Sequence, residues 1–293
     1  MMSRNKPSWF NAVGYVYLGL LSLLCILPLL FIVSGSITSE QAVIRHGYGL
    51  IPEVFSLDAY KLLFRNPTDL FNAFFISVST VAVGTSVGLF VTAMTGYVLS
   101  RKDFKYRNFF SFLIYFTSVF SGGLVPWYLI MVEYLDFKNH YHALIFPMLL
   151  NVFYVIVMKA FMSGIPYEII ESGKIDGANE FSVFVRLVLP AAKPALATIG
   201  LFIALGYWND FFSAMLFVTN QQLIPLQYYL YKLLNAADAM MRVAARSGVA
   251  MPDLPKETVK LAMTVIVVVP ILFVYPFVQK YIVGGVTLGA VKG

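Results

Sequence analysis

Residues 166–194 read PYEIIESGKIDGANEFSVFVRLVLPAAKP, and their reading decides what kind of fold the chain can have. Glu168, Glu171, Lys174, Asp176, Glu180, Arg186 and Lys193 are crowded into this stretch, with long apolar runs on both sides. Lipid offers no partners for so many charges, so the stretch is a connection held in water between two spanning helices. Its local signals spell helix, turn, helix. Pro166 suits a first helical turn, where its missing N–H costs nothing. Glu168 complements the helix dipole there, and Glu171 and Lys174, three apart, are placed to pair on one face. Gly177 takes the left-handed conformation that stops a helix, and Asn179 caps the next one. Phe181, Phe184 and Val188 then line one face, and Pro190 ends or kinks the second helix. A short rigid elbow joined to a spanning helix transmits a push, which a loose loop does not. The stretch therefore reads as a docking surface for a soluble partner that drives motion in the membrane.

The rest of the chain agrees with a membrane setting. Hydrophobic residues make up 59% and charged residues 12%, against about 25% charged in soluble domains. Mean hydropathy is +0.76. Six segments are apolar over the ~20 residues needed to cross a bilayer core: 13–34, 71–99, 109–132, 141–161, 195–218 and 259–282. The first run is longer than a signal-peptide core, so it is expected to remain as an uncleaved span. Arg101, Lys102, Lys105 and Arg107 lie close together between spans two and three, and Arg4 and Lys6 precede span one. Basic residues favour the cytoplasmic side, so both termini and 166–194 are expected in the cytoplasm. The net charge of +6 thus marks topology rather than nucleic-acid binding. The expected fold class is an all-α membrane protein with six transmembrane helices, one domain over 1–293, with 166–194 as an element within it.

Other features are weaker. Cys25 is the only cysteine, which leaves no disulfide framework and no cysteine-based metal site. Gly84 and Gly88 form a small-xxx-small pair suited to close helix packing. Leu226, Leu230, Leu233 and Leu234 sit near helical spacing, so 225–235 reads as an amphipathic helix on the outer face. Residues 240–255 read as a linker. His140 and His142 read as interfacial residues rather than metal ligands. Gly173-Lys174 is not a phosphate loop, because Ile175 stands where Ser or Thr is required. No metal or cofactor is expected on this chain.

The elbow also resembles a known family. Glu171-Ser-Gly-Lys-Ile-Asp176-Gly177-Ala178, followed by Leu187-Val-Leu-Pro190, is similar to the EAA loop of permease subunits of ATP-binding-cassette importers. It departs at Ser172 and Gly173, where the family commonly has Ala-Ala. Phe120-Ser-Gly-Gly-Leu-Val-Pro126, Trp208-Asn209-Asp210 and the ending Tyr275-Pro-Phe-Val-Gln-Lys280…Val291-Lys-Gly293 resemble the carbohydrate-type, maltose-permease-like members. The branch importing oligosaccharides cut from polysaccharides is the most similar. The resemblance implies a type I importer permease fold in a bacterial inner membrane. It also implies partners: a second, non-identical permease, two ATPase subunits and an extracytoplasmic solute-binding protein. ATP would be bound and hydrolysed by the partner subunits. Glu171, Asp176, Gly177 and Ala178 would then lie in a groove of the ATPase.

Asp210 is the one carboxylate placed well inside an apolar run, which makes it a candidate for a polar path. Tyr207, Trp208 and Asn209 beside it supply the aromatic and amide groups a sugar would use. A structural cap near the outer interface explains the same residue equally well. An ion-gradient carrier acting alone is the alternative function; it would need more intramembrane charge than Asp210.

Overall fold

The computed structural model describes residues 9–247 and 255–290. Arg4, Lys6 and the terminal Val291-Lys-Gly293 lie outside the described residues. Among the described residues the regular structure is helical, with one isolated bridge between Thr38 and Phe55. Its contacts divide it into two compact units, Met1–Pro67 with Lys232–Pro270 and Thr68–Tyr231 with Ile271–Gly293.

Three helices are long and apolar enough to cross a membrane on their own, and three bent pairs bring the total of candidate spans to six. The first span, Trp9–Ser36, has 28 residues and so a length of about 42 Å at 1.5 Å per residue. The second, Pro67–Ser100, and the last, Lys256–Ala290, are longer still. The other three are not the straight rods that hydropathy suggests. Arg107–Val119 and Leu124–Tyr134 meet at 113°, and Tyr141–Met148 and Val152–Ser163 at 55°. The first of these breaks falls on Phe120-Ser-Gly-Gly, where Gly123 has φ +87°. The second falls after Pro147 and ends at Asn151, whose side chain accepts the Phe153 N–H at 2.9 Å. Bends free backbone groups, and in an apolar setting these need new partners. The Tyr207 hydroxyl supplies one by donating to the Ile145 carbonyl at 2.8 Å.

The fifth span also differs from expectation. The helix Lys193–Asn209 stops at Asp210, and Phe212–Phe217 is a separate short helix. At its other end the chain turns by 85° between Glu180–Ala191 and Lys193–Asn209. Stretch 225–235 is helical as expected, but the helix runs on over Leu226–Ser247. The expected linker therefore begins no earlier than residue 248, and 248–254 lie outside the described residues.

The unit of 68–231 and 271–293 holds the main apolar core. It runs from Tyr207, Ile203 and Ile199 on the fifth span to Val188, Phe184 and Ile170 in the elbow. Gly84 and Gly88 make this packing possible. A Cβ on Gly84 would come within 2.5–2.8 Å of the Tyr207 ring, and one on Gly88 within 3.1 Å of the Leu149 carbonyl. The pair thus serves helix contact, as its spacing suggests. In the other unit, Glu40 caps the last helix: it accepts the Glu257 and Thr258 N–H groups at 2.9 Å each and the Thr258 hydroxyl at 2.8 Å. An acidic group at a helix N-terminus satisfies free donors and the dipole together.

Candidate functional site

The elbow is built as helix, stop and helix. Tyr167–Ile175 is the first helix. It ends in a Schellman arrangement: Ala178 N–H donates to the Gly173 carbonyl at 2.9 Å and Gly177 N–H to Lys174 at 3.0 Å. Gly177 has φ +79°, a left-handed conformation that costs other residues ~1–2 kcal/mol. The Asp176-Gly177-Ala178 part of the motif is therefore a helix terminator. Asn179 then caps the second helix, its side-chain oxygen accepting the Ser182 N–H at 2.8 Å. Glu171, Asp176 and Gly177 are exposed and Ala178 is half-buried.

Two details correct the sequence reading. Lys174 does not pair with Glu171. It reaches Glu180 at 2.7 Å, with Asp103 at 3.5 Å, because the turn at Gly177 swings Glu180 back over it. Phe181 is 60% exposed, whereas Phe184 and Val188 are 1% exposed; only the latter two face the core. Burying Phe184 contributes about 1.5–3 kcal/mol to holding the elbow. Pro190 stands in the last turn as expected: the helix ends one residue later at Ala191, where the chain bends by 85° into Lys193–Asn209. A π turn over Phe184–Val188 re-registers the hydrogen bonds just before the proline. Gly173, where the family pattern has alanine, is buried at the crossing of the two elbow helices. A Cβ there would lie 2.7 Å from Leu187 Cδ1 and 3.2 Å from Val183 Cγ2. Its cost in helix propensity is matched by close approach.

Arg101 joins this site, although the sequence marks it only as one of several basic residues. It lies just beyond the second span and is 6% exposed. Its guanidinium forks onto Asp103, Nε–Oδ1 2.9 Å and Nη2–Oδ2 2.5 Å, and donates to the Tyr97 hydroxyl at 3.1 Å. That hydroxyl donates to Glu180 at 3.1 Å. Arg101 also lies over the Tyr97 and Tyr167 rings, 5.6 and 5.7 Å from their centroids. The hydrogen bonds from Arg101 hold Asp103 down to about 2 and raise the guanidinium pKa in turn. The Lys174 hydrogen bond lowers Glu180 and raises Lys174. Contacts between 101–103 and the elbow mean that these two connections lie at the same end of the helices, as their charge pattern suggests.

The candidates at the far end of the fifth span are placed differently. Tyr207 is 3% and Trp208 8% exposed. The Tyr207 ring fills the space beside Gly84 and its hydroxyl is used by Ile145, while Trp208 meets Phe74 edge to face at 6.1 Å. Asp210 is half-buried, and its Oδ1 accepts the N–H groups of Phe212 and Ser213 at 3.0 and 3.2 Å. That is a capping geometry. Asn209 is exposed; its amide donates to Leu205 and accepts from Gln227 at 3.5 Å. The His140 and His142 rings stack at 5.1 Å. Among the described residues no group of three or more potential metal ligands occurs.

Lys159 is a further cation within an apolar helix. It lies one turn from the end of Val152–Ser163, and its Nζ donates to Ser111 Oγ at 2.8 Å.

Comparison with known proteins matches these features to a family. Residues 84–287 fit the model described as "Binding-protein-dependent transport system inner membrane component". The chain is 37% identical over 289 residues to the polygalacturonan/rhamnogalacturonan transport system permease protein YtcP of Bacillus subtilis, covering 98% of this chain and 100% of that one. It is 40% identical over 286 residues to protein LplC of the same organism, covering 97% and 95%. Among solved structures it is similar to a chain of a bacterial ABC transporter involved in the import of the acidic polysaccharide alginate. There the TM-score is 0.77 and identity 29%, over 96% of this chain and 99% of that one. A multi-span helical chain whose elbow and spans match these proteins end to end belongs to the family of binding-protein-dependent transport system inner membrane components.

Proposed function

We propose that this chain is one of two non-identical permease subunits of an ATP-driven importer of oligosaccharides released from larger polysaccharides. The reading rests above all on the elbow at 166–194, a rigid, charged, water-facing element at the end of spanning helices. Full-length similarity to named transport permeases supports it, including one for polygalacturonan and rhamnogalacturonan and one for arabinooligosaccharides from Halalkalibacterium halodurans. In this reading Glu171 and Asp176 meet the ATPase, and Gly177 and Ala178 set the angle at which they are presented. The ATPase pair binds and hydrolyses ATP, and an extracytoplasmic solute-binding protein delivers the sugar. Motion follows only if the elbow binds the two ATPase states unequally. This chain carries out no covalent step.

Of the four path candidates, Asn209 is the one whose exposed amide keeps capacity for a sugar hydroxyl. Tyr207 and Trp208 are buried and support it through packing, and Asp210 caps the short helix that follows. The test is to purify the chain in mild detergent with its stoichiometric partners and reconstitute the complex in liposomes. Co-purification of an ATPase and a second permease, with ATP-dependent uptake of oligogalacturonate or arabino-oligosaccharide, is the expected result. Sugar accumulation driven by an ion gradient in ATP-free vesicles would overturn the reading.

A further inference from the structure

The elbow is attached to the second span in two ways. One is apolar: Phe184 lies against Tyr97, ring centroids 5.2 Å apart. Such contact resists separation but has no preferred direction, so it permits sliding. The other is directional. Arg101 sits one residue beyond Pro67–Ser100, and three separate segments converge on its guanidinium. Asp103 takes the fork, Glu180 accepts from Arg101 directly at 3.5 Å and from the Tyr97 hydroxyl, and the ring of Tyr167, the first residue of the elbow's leading helix, lies 5.7 Å from the guanidinium. Lys174 closes the ring from the end of that helix onto Glu180. A residue that only marked topology would lie in water. A buried guanidinium with a bidentate carboxylate instead fixes angle as well as distance. Two cations face two anions, so the cluster has no surplus charge with which to attract a ligand; its chemistry is that of a joint.

We propose that Arg101 is a positioning residue that ties the elbow to the second span, so that displacement of Tyr167–Ile175 carries the Pro67–Ser100 helix in register instead of slipping past it. The proposal rests on the elbow being the ATPase-docking element. Without the joint the ATPase still docks and hydrolyses, but part of each stroke is lost as sliding, and more ATP is consumed per sugar moved.

The complete complex with its binding protein, reconstituted in liposomes, tests this through the ratio of ATP hydrolysed to sugar accumulated. Arg101→Met keeps the stem's packing and removes the fork; the ratio is expected to rise roughly fivefold or more, with complex yield and hydrolysis retained. Glu180→Gln and Tyr97→Phe, which leave Arg101 on Asp103, are expected to raise it less, and they carry the test should Arg101→Met fail to assemble. Arg101→Lys is expected to restore the ratio in part. An unchanged ratio in the assembled variants, or hydrolysis and uptake falling in equal proportion, overturns the joint. A wild-type complex that accumulates sugar without ATP overturns the importer reading and the joint with it, and the wild-type control identifies that case.

Discussion

The two ends of Lys193–Asn209 carry similar residue types and use them in opposite ways. At one end the chain turns by 85° into the elbow, and Glu171 and Asp176 stand exposed on it. At the other the helix breaks at Asp210, and the carboxylate is turned back to take two backbone N–H groups. Both carry acids that look out of place in an apolar chain. The difference is whether local folding already uses the acceptor. An acid that caps its own helix has its chemistry accounted for; acids left exposed on a turn keep theirs available. Charge in a membrane sequence is thus a guide to function only after its backbone duties are subtracted.

The largest effect is expected at the elbow. No atom lies within 4 Å of a Cβ added to Gly177, so Gly177→Ala meets no clash and costs only the left-handed backbone, about 1–2 kcal/mol. The angle between the elbow helices should change, and ATP-dependent uptake in liposomes should fall much further than the yield of assembled complex. Equal loss of both would mean that the turn serves folding alone.

A smaller effect is expected at the break. If Asp210 is a cap, Asp210→Asn should keep both thermal stability and uptake, whereas Asp210→Leu should cost about 0.5–2 kcal/mol of stability. A complex with Asp210→Asn that unfolds at the wild-type temperature yet loses uptake would return the carboxylate to the sugar path and erase the contrast between the two ends.

The smallest effect is expected from acidification. Arg101 holds Asp103 at about 2 against an ordinary 3.8, and Lys174 lowers Glu180. Carboxyls depressed in the folded state contribute their stabilisation above the unfolded pKa and lose it as pH falls through the folded value. Arg101 and Lys174, both raised by their carboxylate partners, remain cationic over this range. The ATP-to-sugar ratio should therefore stay flat from about pH 8 to about pH 5. A rise within that window, measured with inhibitor-free liposomes at fixed ionic strength, would show that the charge ring is looser than its distances suggest.

Much of the elbow was legible in the sequence. Gly177 as a left-handed stop, Asn179 as a cap and Phe184 and Val188 on one face follow from short-range rules, and these hold because each partner lies within a few residues. The pairing of Glu171 with Lys174 failed for the complementary reason. Spacing of three permits that pair, but the Gly177 turn delivers Glu180 to the same ammonium, and the shorter contact wins. Hydropathy located six apolar segments but could not show the 113° break at Phe120–Gly123, since both arms are equally apolar. Nor could it show that the linker-like 240–247 continues a helix, because polarity alone does not end one.

By itself the sequence determined that this chain lives in a membrane, which connection is held out in water, and that this connection is a helix–turn–helix. Hydropathy and capping act over contiguous residues, so the chain carries them without reference to the fold. Only the tertiary structure decided which acid answers which cation, that Gly84 exists to admit the ring of Tyr207, and that Arg101 belongs to the elbow rather than to the basic loop around it. Those choices depend on which helix ends are brought within a few ångströms of one another. A guanidinium at 101 acquires its partner at 180 only when the packing of Phe184 against Tyr97 has placed it there.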